Sequence, residues 1–184
     1  MQREHPHTSQ TKWRTLSADE FAASPDAKLR GLLAVIFWAA TALVVAVLLA
    51  LVVTIALGGL LPITMFSQIM FSASAPGSAL TIARLQAIQQ ALFAVWAFVF
   101  VVMTLTRRPS TPSVASGLMV VWALSLIGAE IATQYLNVTR GFDPTGPLWA
   151  LPLILLVAAV TTAFCRYMSV GRRPNVYFRR RVRA

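Results

Sequence analysis

Four long apolar stretches constrain this chain more than any other feature of its sequence. Each carries at most one charged residue, and a run of roughly 18 or more apolar residues is long enough to cross a bilayer as a helix. The stretches are Leu32–Leu57, Leu85–Leu105, Ser113–Tyr135 and Pro147–Met168. We therefore predict an all-α integral membrane protein with four transmembrane helices and a short N-terminal cytoplasmic amphipathic helix.

The composition favours the same class of protein and argues against an enzyme. The chain is 57% hydrophobic and 12% charged, and a soluble domain carries about twice that charged fraction. The sequence contains no HExxH, no GxSxG and no phosphate-binding glycine loop, and no His or Lys lies in a span to activate a hydroxyl. The two histidines of "EHPH", His5 and His7, lack a third ligand nearby. We expect no catalytic site, no metal and no cofactor.

The chain divides into three parts at the ends of the apolar stretches. We predict a cytoplasmic N-terminal segment at 1–30, a four-helix transmembrane domain at 31–168 and a basic cytoplasmic tail at 169–184. Within the transmembrane domain, "LLPITMFSQIMFS" places its polar residues on one helical face. This pattern predicts a short helix that lies in the membrane interface and does not span it.

Two helix starts are readable in the N-terminal segment. In "LSADEF", Ser17 and Glu20 have the spacing of a capping box, which predicts a helix over Ala18–Ala23. In "SPDAKLR", Ser24 is a candidate cap and Pro25 suits the first helical position. We expect this second helix to enter the membrane after Arg30.

The basic residues predict the orientation of the spans. Fourteen of the 16 Lys and Arg residues fall on the side of the two termini, and the other side holds only Arg84 and Arg140. Short cytoplasmic loops collect Lys and Arg. Both termini are therefore predicted to be cytoplasmic, in a multi-pass protein of the bacterial cytoplasmic membrane.

The C-terminal tail is rich in arginine and contains no acidic residue. A basic cluster beside a span attracts anionic headgroups at about 1 kcal/mol per residue. We predict that lipid headgroups are bound by Arg172, Arg173, Arg179, Arg180, Arg181 and Arg183. Tyr177 and Phe178 would insert into the bilayer beside them. Nucleic acid is the disfavoured partner, because arginines next to a span meet headgroups first.

The end of the chain resembles a known family. In "YMSVGRRPNVYF", Tyr167 closes the last span, Arg173 follows six residues later, and then comes Phe178. This spacing is similar to the end of a bacterial four-helix membrane family catalogued as domain of unknown function 2569, which has an aromatic residue, Ser-x-Arg-Val and Thr-Phe there. Three positions depart from that pattern, namely Gly171, Pro174 and Tyr177. The resemblance implies a four-helix architecture and no known activity.

Glu130 is the one acidic residue inside a span, and an intramembrane carboxylate is a functional candidate by default. Other polar residues are expected in the same leaflet, namely Arg84, Gln86, Gln89, Gln90 and Gln134. We favour a structural polar cluster in which Arg84 or a glutamine satisfies Glu130. The alternative is a proton or cation site open to the periplasm.

Trp96 and Trp122 lie near the middle of their spans, which predicts buried helix contacts whose N–H groups need acceptors. The function we expect is non-enzymatic, that of an accessory or scaffold subunit that binds the bilayer and either another membrane protein or a second copy of itself. The alternative is a small transporter or proton-coupled carrier that uses Glu130. An intramembrane enzyme is the least favoured reading.

Overall fold

The computed structural model describes residues 13–58, 61–73, 79–139 and 146–183. His5, His7 and Arg140 lie outside these residues.

The described residues form a helical bundle with a small two-stranded sheet. The elements in chain order are β1 (Trp13–Thr15), α1 (Ala18–Ala23), a 3-10 turn (Pro25–Ala27), α2 (Gly31–Gly58), α3 (Leu61–Phe71), α4 (Ala79–Leu105), α5 (Thr111–Thr139), α6 (Gly146–Val170), α7 (Arg172–Arg179) and β2 (Arg181–Arg183). Helices α2, α4, α5 and α6 are each long and apolar enough to cross a membrane. The chain is therefore a multi-pass helical membrane protein.

Two of the four helices extend by a full turn or more beyond their predicted apolar stretches. Helix α4 begins at Ala79 where the sequence predicted Leu85, and α5 continues to Thr139 where it predicted Tyr135. Polar residues interrupt the added segments, namely Thr81, Arg84, Asn137 and Thr139. Hydrophobicity marks only the part of a helix that lies in hydrocarbon, so it does not detect the turns that project beyond it.

The N-terminal segment confirms one predicted helix start and corrects the other. At α1 the capping box is present, because Ser17 Oγ accepts from Glu20 N at 3.2 Å and the Glu20 carboxylate accepts from Ser17 N at 2.9 Å. After Ser24, however, only the 3-10 turn forms, and the chain is extended at Lys28. Helix α2 starts separately at Gly31, whose φ of +59° is a conformation that favours glycine. That residue lets the chain change direction before it enters the membrane.

The hydrophobic core lies at one end of the bundle. Leu33, Phe37 and Ala40 form a buried face on the first turns of α2, which packs against α4. Beyond them, residues 45–57 of α2 are exposed on every side. Such an all-apolar surface suits contact with lipid tails.

Aromatic residues fill the centre of this core. Trp96 stacks on Phe93 and Phe100, with ring centroids 5.3 and 5.7 Å apart, and Phe164 of α6 meets its edge at 5.6 Å. The buried indole N–H of Trp96 donates to the carbonyl of Ala115 on α5 at 3.1 Å. The prediction for Trp96 is thereby confirmed.

Candidate functional site: the terminal cap

Both ends of the described chain fold together over the end of the bundle that holds the core. We call residues 13–30 and 171–183 the terminal cap. It lies where α2 begins, α4 ends, α5 begins and α6 ends, and it carries nine basic and three acidic residues. The sequence predicted a basic tail at 169–184 that binds lipid headgroups, and the structure folds this segment against the N-terminal one.

The two termini are joined by strand pairing. β1 and β2 are antiparallel, with Trp13 opposite Arg183 and Thr15 opposite Arg181. The pairing continues one step further, since Leu16 N donates to the carbonyl of Arg180 at 2.8 Å. Arg180 adopts a left-handed conformation at the end of α7 and so turns the chain into β2.

Asp26 holds the C-terminal segment to the N-terminal one. Its two carboxylate oxygens form ion pairs with Arg172 Nε and Arg173 Nη2, each at 3.1 Å. Asp26 and Arg173 are largely buried, whereas Arg172 is mostly exposed. The Arg173 guanidinium also lies against Gly31, where an added Cβ would be 3.2 Å from Nη1.

Asn175 is a buried polar centre of the cap. Its side-chain amide donates to the carbonyls of Ser169 and Gly171 at 3.0 and 2.8 Å, and its Oδ1 accepts from Arg181 Nε at 3.1 Å. The side chain therefore satisfies backbone groups where α6 ends and fixes the start of α7. A fully satisfied buried amide specifies one arrangement of the surrounding chain.

Tyr177 and Phe178 are buried in the protein core, and the prediction that they insert into the bilayer is wrong. Tyr177 OH donates to the carbonyl of Thr104 at 3.4 Å, and Arg107 lies over the Tyr177 ring at 5.0 Å. The reason is the short turn at Gly171, which reverses the chain after α6. Helix α7 then lies across the helix ends with its apolar face inward.

The other arginines of the tail also have partners within the protein. Arg179 donates to the carbonyl of Pro109 and to Ser113 Oγ, at 3.3 and 2.9 Å. Arg180 lies over the Phe21 ring at 4.9 Å and Arg181 over the Trp13 ring at 4.6 Å. Arg183 contributes through its backbone in β2. Headgroup binding by these residues stays a prediction. Of the tail arginines whose side-chain exposure the structure describes, Arg172 and Arg180 are exposed.

Burial affects the electrostatics of one arginine directly. Desolvation lowers the pKa of Arg179, and the charge of the neighbouring Arg181 lowers it further. Arginine stays protonated in proteins. The Arg179 guanidinium therefore keeps its charge next to that of Arg181.

At the opposite end of α5, Gln134 Nε2 donates to Glu130 Oε1 at 2.8 Å. The two residues lie one turn apart on the same helix face, as the sequence suggested. The contacts described for Arg84 lie elsewhere, with the carbonyls of Ile69 and Ser72 and with Ser72 Oγ at 3.3 Å. They satisfy carbonyls at the end of α3, where a cation also suits the helix dipole.

The three glutamines of α4 complete the predicted polar set. Gln86 and Gln90 are exposed and Gln89 is half-buried. Within the described part of the chain, no hydrogen bond joins any of them to Glu130. The described neighbourhood of Glu130 is thus built by its own helix. The described residues also contain no group of three or more His, Cys, Asp or Glu residues placed to hold a metal ion.

The comparisons with known proteins add no relative. No family model matches the chain, and no curated protein or solved structure matches it. The fold and the cap therefore have to be interpreted from their own geometry.

The residues that organise the cap were not predicted from the sequence. Neither Asp26 nor Asn175 was a candidate site residue. One signal for Asp26 was present, since it is one of only six acidic residues in a chain with 16 basic ones. An isolated carboxylate near a span is a natural partner for juxtamembrane arginines.

Proposed function

We propose that the protein is a non-enzymatic accessory or scaffold subunit of the bacterial cytoplasmic membrane, and that the terminal cap is the surface that binds its partner. The observation that carries this proposal is the folding of both termini into one basic unit on the ends of the spans. A loose tail needs no buried asparagine, no strand pairing and no ion pair to an internal carboxylate. A surface that has to present a fixed shape to a partner needs such contacts to hold that shape.

The exposed face of the cap is the part that meets a partner. Helix α1 carries no buried residue, and Arg172 and Arg180 point outward. Their charge would also hold the cap against anionic headgroups, because arginines near a membrane surface are attracted to it. A membrane-protein partner, or a second copy of the chain, would contact the same side.

We propose that the cap lies in the cytoplasm, as the distribution of basic residues indicates. A reporter that is active only in the periplasm should be silent when fused after Ala184. The same reporter should be active when inserted between Ser74 and Ser78. Activity in the opposite pattern would refute the orientation.

The likeness to the domain of unknown function 2569 family is retained as part of the proposal. The residues that carry it, Tyr167, Arg173 and Phe178, all lie where α6 meets the cap, and Phe178 and Arg173 hold α7 in place. If the likeness reflects common descent, the shared feature is this fold of the tail, with the cap as its conserved element.

Site-specific photo-crosslinking in cells tests the scaffold proposal. A photoreactive residue at Ala22, on the exposed side of α1, should yield a discrete protein adduct. The same residue at Leu124 or Leu155, which are exposed on the spans, should yield lipid adducts. Only lipid adducts at Ala22 would remove the support for a partner-binding cap and leave the cap as a membrane anchor.

We propose that Glu130 is structural, because its hydrogen-bond partner lies on its own helix. Glu130→Gln should then be tolerated, and Glu130→Leu should lower the melting temperature slightly, because a side-chain pair four residues apart on one helix contributes about 0.2 to 0.5 kcal/mol. Proton flux into reconstituted vesicles should be the same for both variants and the unmodified protein. Flux that is lost in a stably folded Gln variant would instead establish the carrier function.

A further inference from the structure

A groove of about 460 Å³ lies between α5 and α6 at the cap end of the bundle. Ser113 and Ser116 line it from α5, Thr161 and Arg166 line it from α6, and Arg179 reaches it from α7. The groove extends along both helices from the cap toward the middle of the membrane. Its position makes it accessible from the bilayer.

The mouth of the groove is cationic. Arg179 is anchored there by its bond to Ser113 Oγ at 2.9 Å. Arg166 is exposed, and within the described residues its guanidinium has no hydrogen bond and no ion pair. Two guanidinium groups, with serine hydroxyls beside them, are the donors that recognise a phosphate oxygen.

The inner end of the groove holds an unsatisfied donor. Thr161 is 8% exposed, and its Oγ1 is buried with no hydrogen-bond partner among the described residues. Buried hydroxyls are nearly always paired. The Oγ1 atom has almost no accessible surface, so the Thr161 side chain would have to rotate toward the groove to donate to an acceptor that enters there.

The cationic mouth and the Thr161 hydroxyl are separated along the axis of α6, and this separation indicates the kind of ligand. Thr161 precedes Arg166 by five residues on α6, which places it about 7.5 Å deeper along the helix axis. A glycerophospholipid has the same order of groups, with the phosphate at the surface, the ester carbonyls a few bonds deeper and the acyl chains below. A free phosphate would satisfy the mouth and leave the inner end empty.

We propose that this groove binds one anionic glycerophospholipid of the leaflet on the cap side. Arg166 and Arg179 hold its phosphate, Thr161 donates to an ester carbonyl, and the acyl chains continue along α5 and α6. The site rests on the proposed function only for the identity of that leaflet as the cytoplasmic one. It differs from headgroup attraction at the outer face of the cap, because it holds a single lipid in a defined place.

Native mass spectrometry of the full-length protein in mild detergent tests the site, with phosphatidylglycerol as the probe. We expect one retained lipid per chain. Phosphatidylcholine with the same acyl chains should bind about fivefold more weakly, as expected for the loss of roughly one unit of charge complementarity. Glycerol 3-phosphate should compete only at far higher concentration. Equal binding of glycerol 3-phosphate and the lipid would show a free-anion site and overturn the lipid assignment.

Three variants separate the groove from general electrostatics. Arg166→Gln should weaken phosphatidylglycerol binding about tenfold, the loss expected for a charged hydrogen bond. Arg108→Gln removes the same charge from the exposed α4–α5 turn, outside the groove, and should leave binding unchanged. If the two variants lose affinity equally, the attraction is diffuse and the proposal fails.

Thr161→Val is the third variant and gives a signature that a merely structural residue would not give. Valine has a similar shape but lacks the donor, so the lipid-free protein should keep or raise its melting temperature. Lipid affinity should nevertheless fall about threefold, the loss of one neutral hydrogen bond. A lower lipid-free melting temperature, or an unchanged lipid affinity, would overturn the role assigned to Thr161. If the unmodified protein retains no phosphatidylglycerol while the protein crosslink at Ala22 persists, the groove is refuted and the scaffold proposal stands.

Discussion

Asp26→Asn should loosen the terminal cap from the bundle. Both arginine contacts of Asp26 measure 3.1 Å, but the side chains differ in exposure: 15% for Asp26, 28% for Arg173 and 77% for Arg172. An exposed ion pair contributes about 0.2 to 1 kcal/mol, which bounds the share of Arg172. Removing one charge of a buried ion pair costs more, about 3 to 5 kcal/mol when the pair is fully buried, and the pair with Arg173 is only partly buried. We expect a loss of about 2 kcal/mol, nearly all of it from the contact with Arg173.

Hydrogen exchange measures this loss where it occurs. The amide of Leu16 is bonded to the carbonyl of Arg180, so its exchange reports opening of the cap. A loss of about 2 kcal/mol corresponds to about thirtyfold faster exchange, provided that exchange proceeds through cap opening. The amides in the middle of α5 should not change, because the transmembrane helices stay folded.

Two double-mutant cycles use the matched pair of arginines. Combining Asp26→Asn with Arg173→Gln should show a coupling energy of about 1.5 kcal/mol or more, and combining it with Arg172→Gln should show about 1 kcal/mol or less. The distances are equal, so only burial distinguishes the two pairs. Equal coupling energies would refute the argument from burial, and a zero value for Arg173 would refute the ion pair as the link between the termini.

Three further variants test other parts of the fold. Gly171→Ala should lower the free energy of unfolding by about 2 to 3 kcal/mol, because the added Cβ would stand 2.3 Å from the backbone oxygen of Tyr167. The control is Gly117→Ala, where the added Cβ has nothing within 4 Å, and this variant should be neutral or stabilising in a thermal melt. Trp96→Phe should lower the free energy of unfolding by about 1 kcal/mol, since the hydrogen bond to α5 is lost; an unchanged value would mean that the bond contributes nothing. The pKa of Glu20 is lowered by its hydrogen bond from the N-cap backbone N–H and then by the neighbouring arginine. Its stabilisation of α1 should therefore be complete above pH 4.5 and disappear as the pH falls through the lowered value, and Glu20→Gln should abolish that pH dependence in a titration of cap exchange.

The sequence predicted what local rules determine. Hydrophobic length alone located the four spanning helices, and the spacing of Ser17 and Glu20 located α1. The mid-span position of Trp96 predicted its buried contact. Each of these features depends on residues within a few turns of one another, or on the contrast between lipid and water.

The cap was not predicted, because its contacts join the two ends of the chain. β1 and β2 have three residues each, too few to show the alternation by which strands are recognised. Asp26 and Arg173 are distant in sequence, and no local pattern connects them. The arginines of the tail suggested a membrane surface by composition, and composition carries no information about pairing with one internal carboxylate.

Gly171 illustrates the same limit at a single position. In the sequence it is only a departure from the pattern of a similar family. In the structure it is the residue that lets the chain reverse, since its N–H bonds the carbonyl of Tyr167 at 2.9 Å and no side chain would fit there. The presence of glycine at this position is explained only by the path of α7.

The core lies next to the cap because the bundle is surrounded by lipid on one side of the cap and by water on the other. Between helices in hydrocarbon there is little hydrophobic driving force, because lipid tails are as apolar as leucine. Residues 45–57 of α2 can therefore remain exposed on all faces without loss of stability. At the cap, water is present again, and burying Tyr177 and Phe178 against the helix ends is favourable. The folded termini thus provide hydrophobic and polar contacts that the lipid-exposed half of α2 does not make.

The cap contacts the end of α4 through Thr104, the start of α5 through Ser113 and the start of α2 through Gly31. It therefore joins the ends of these three helices.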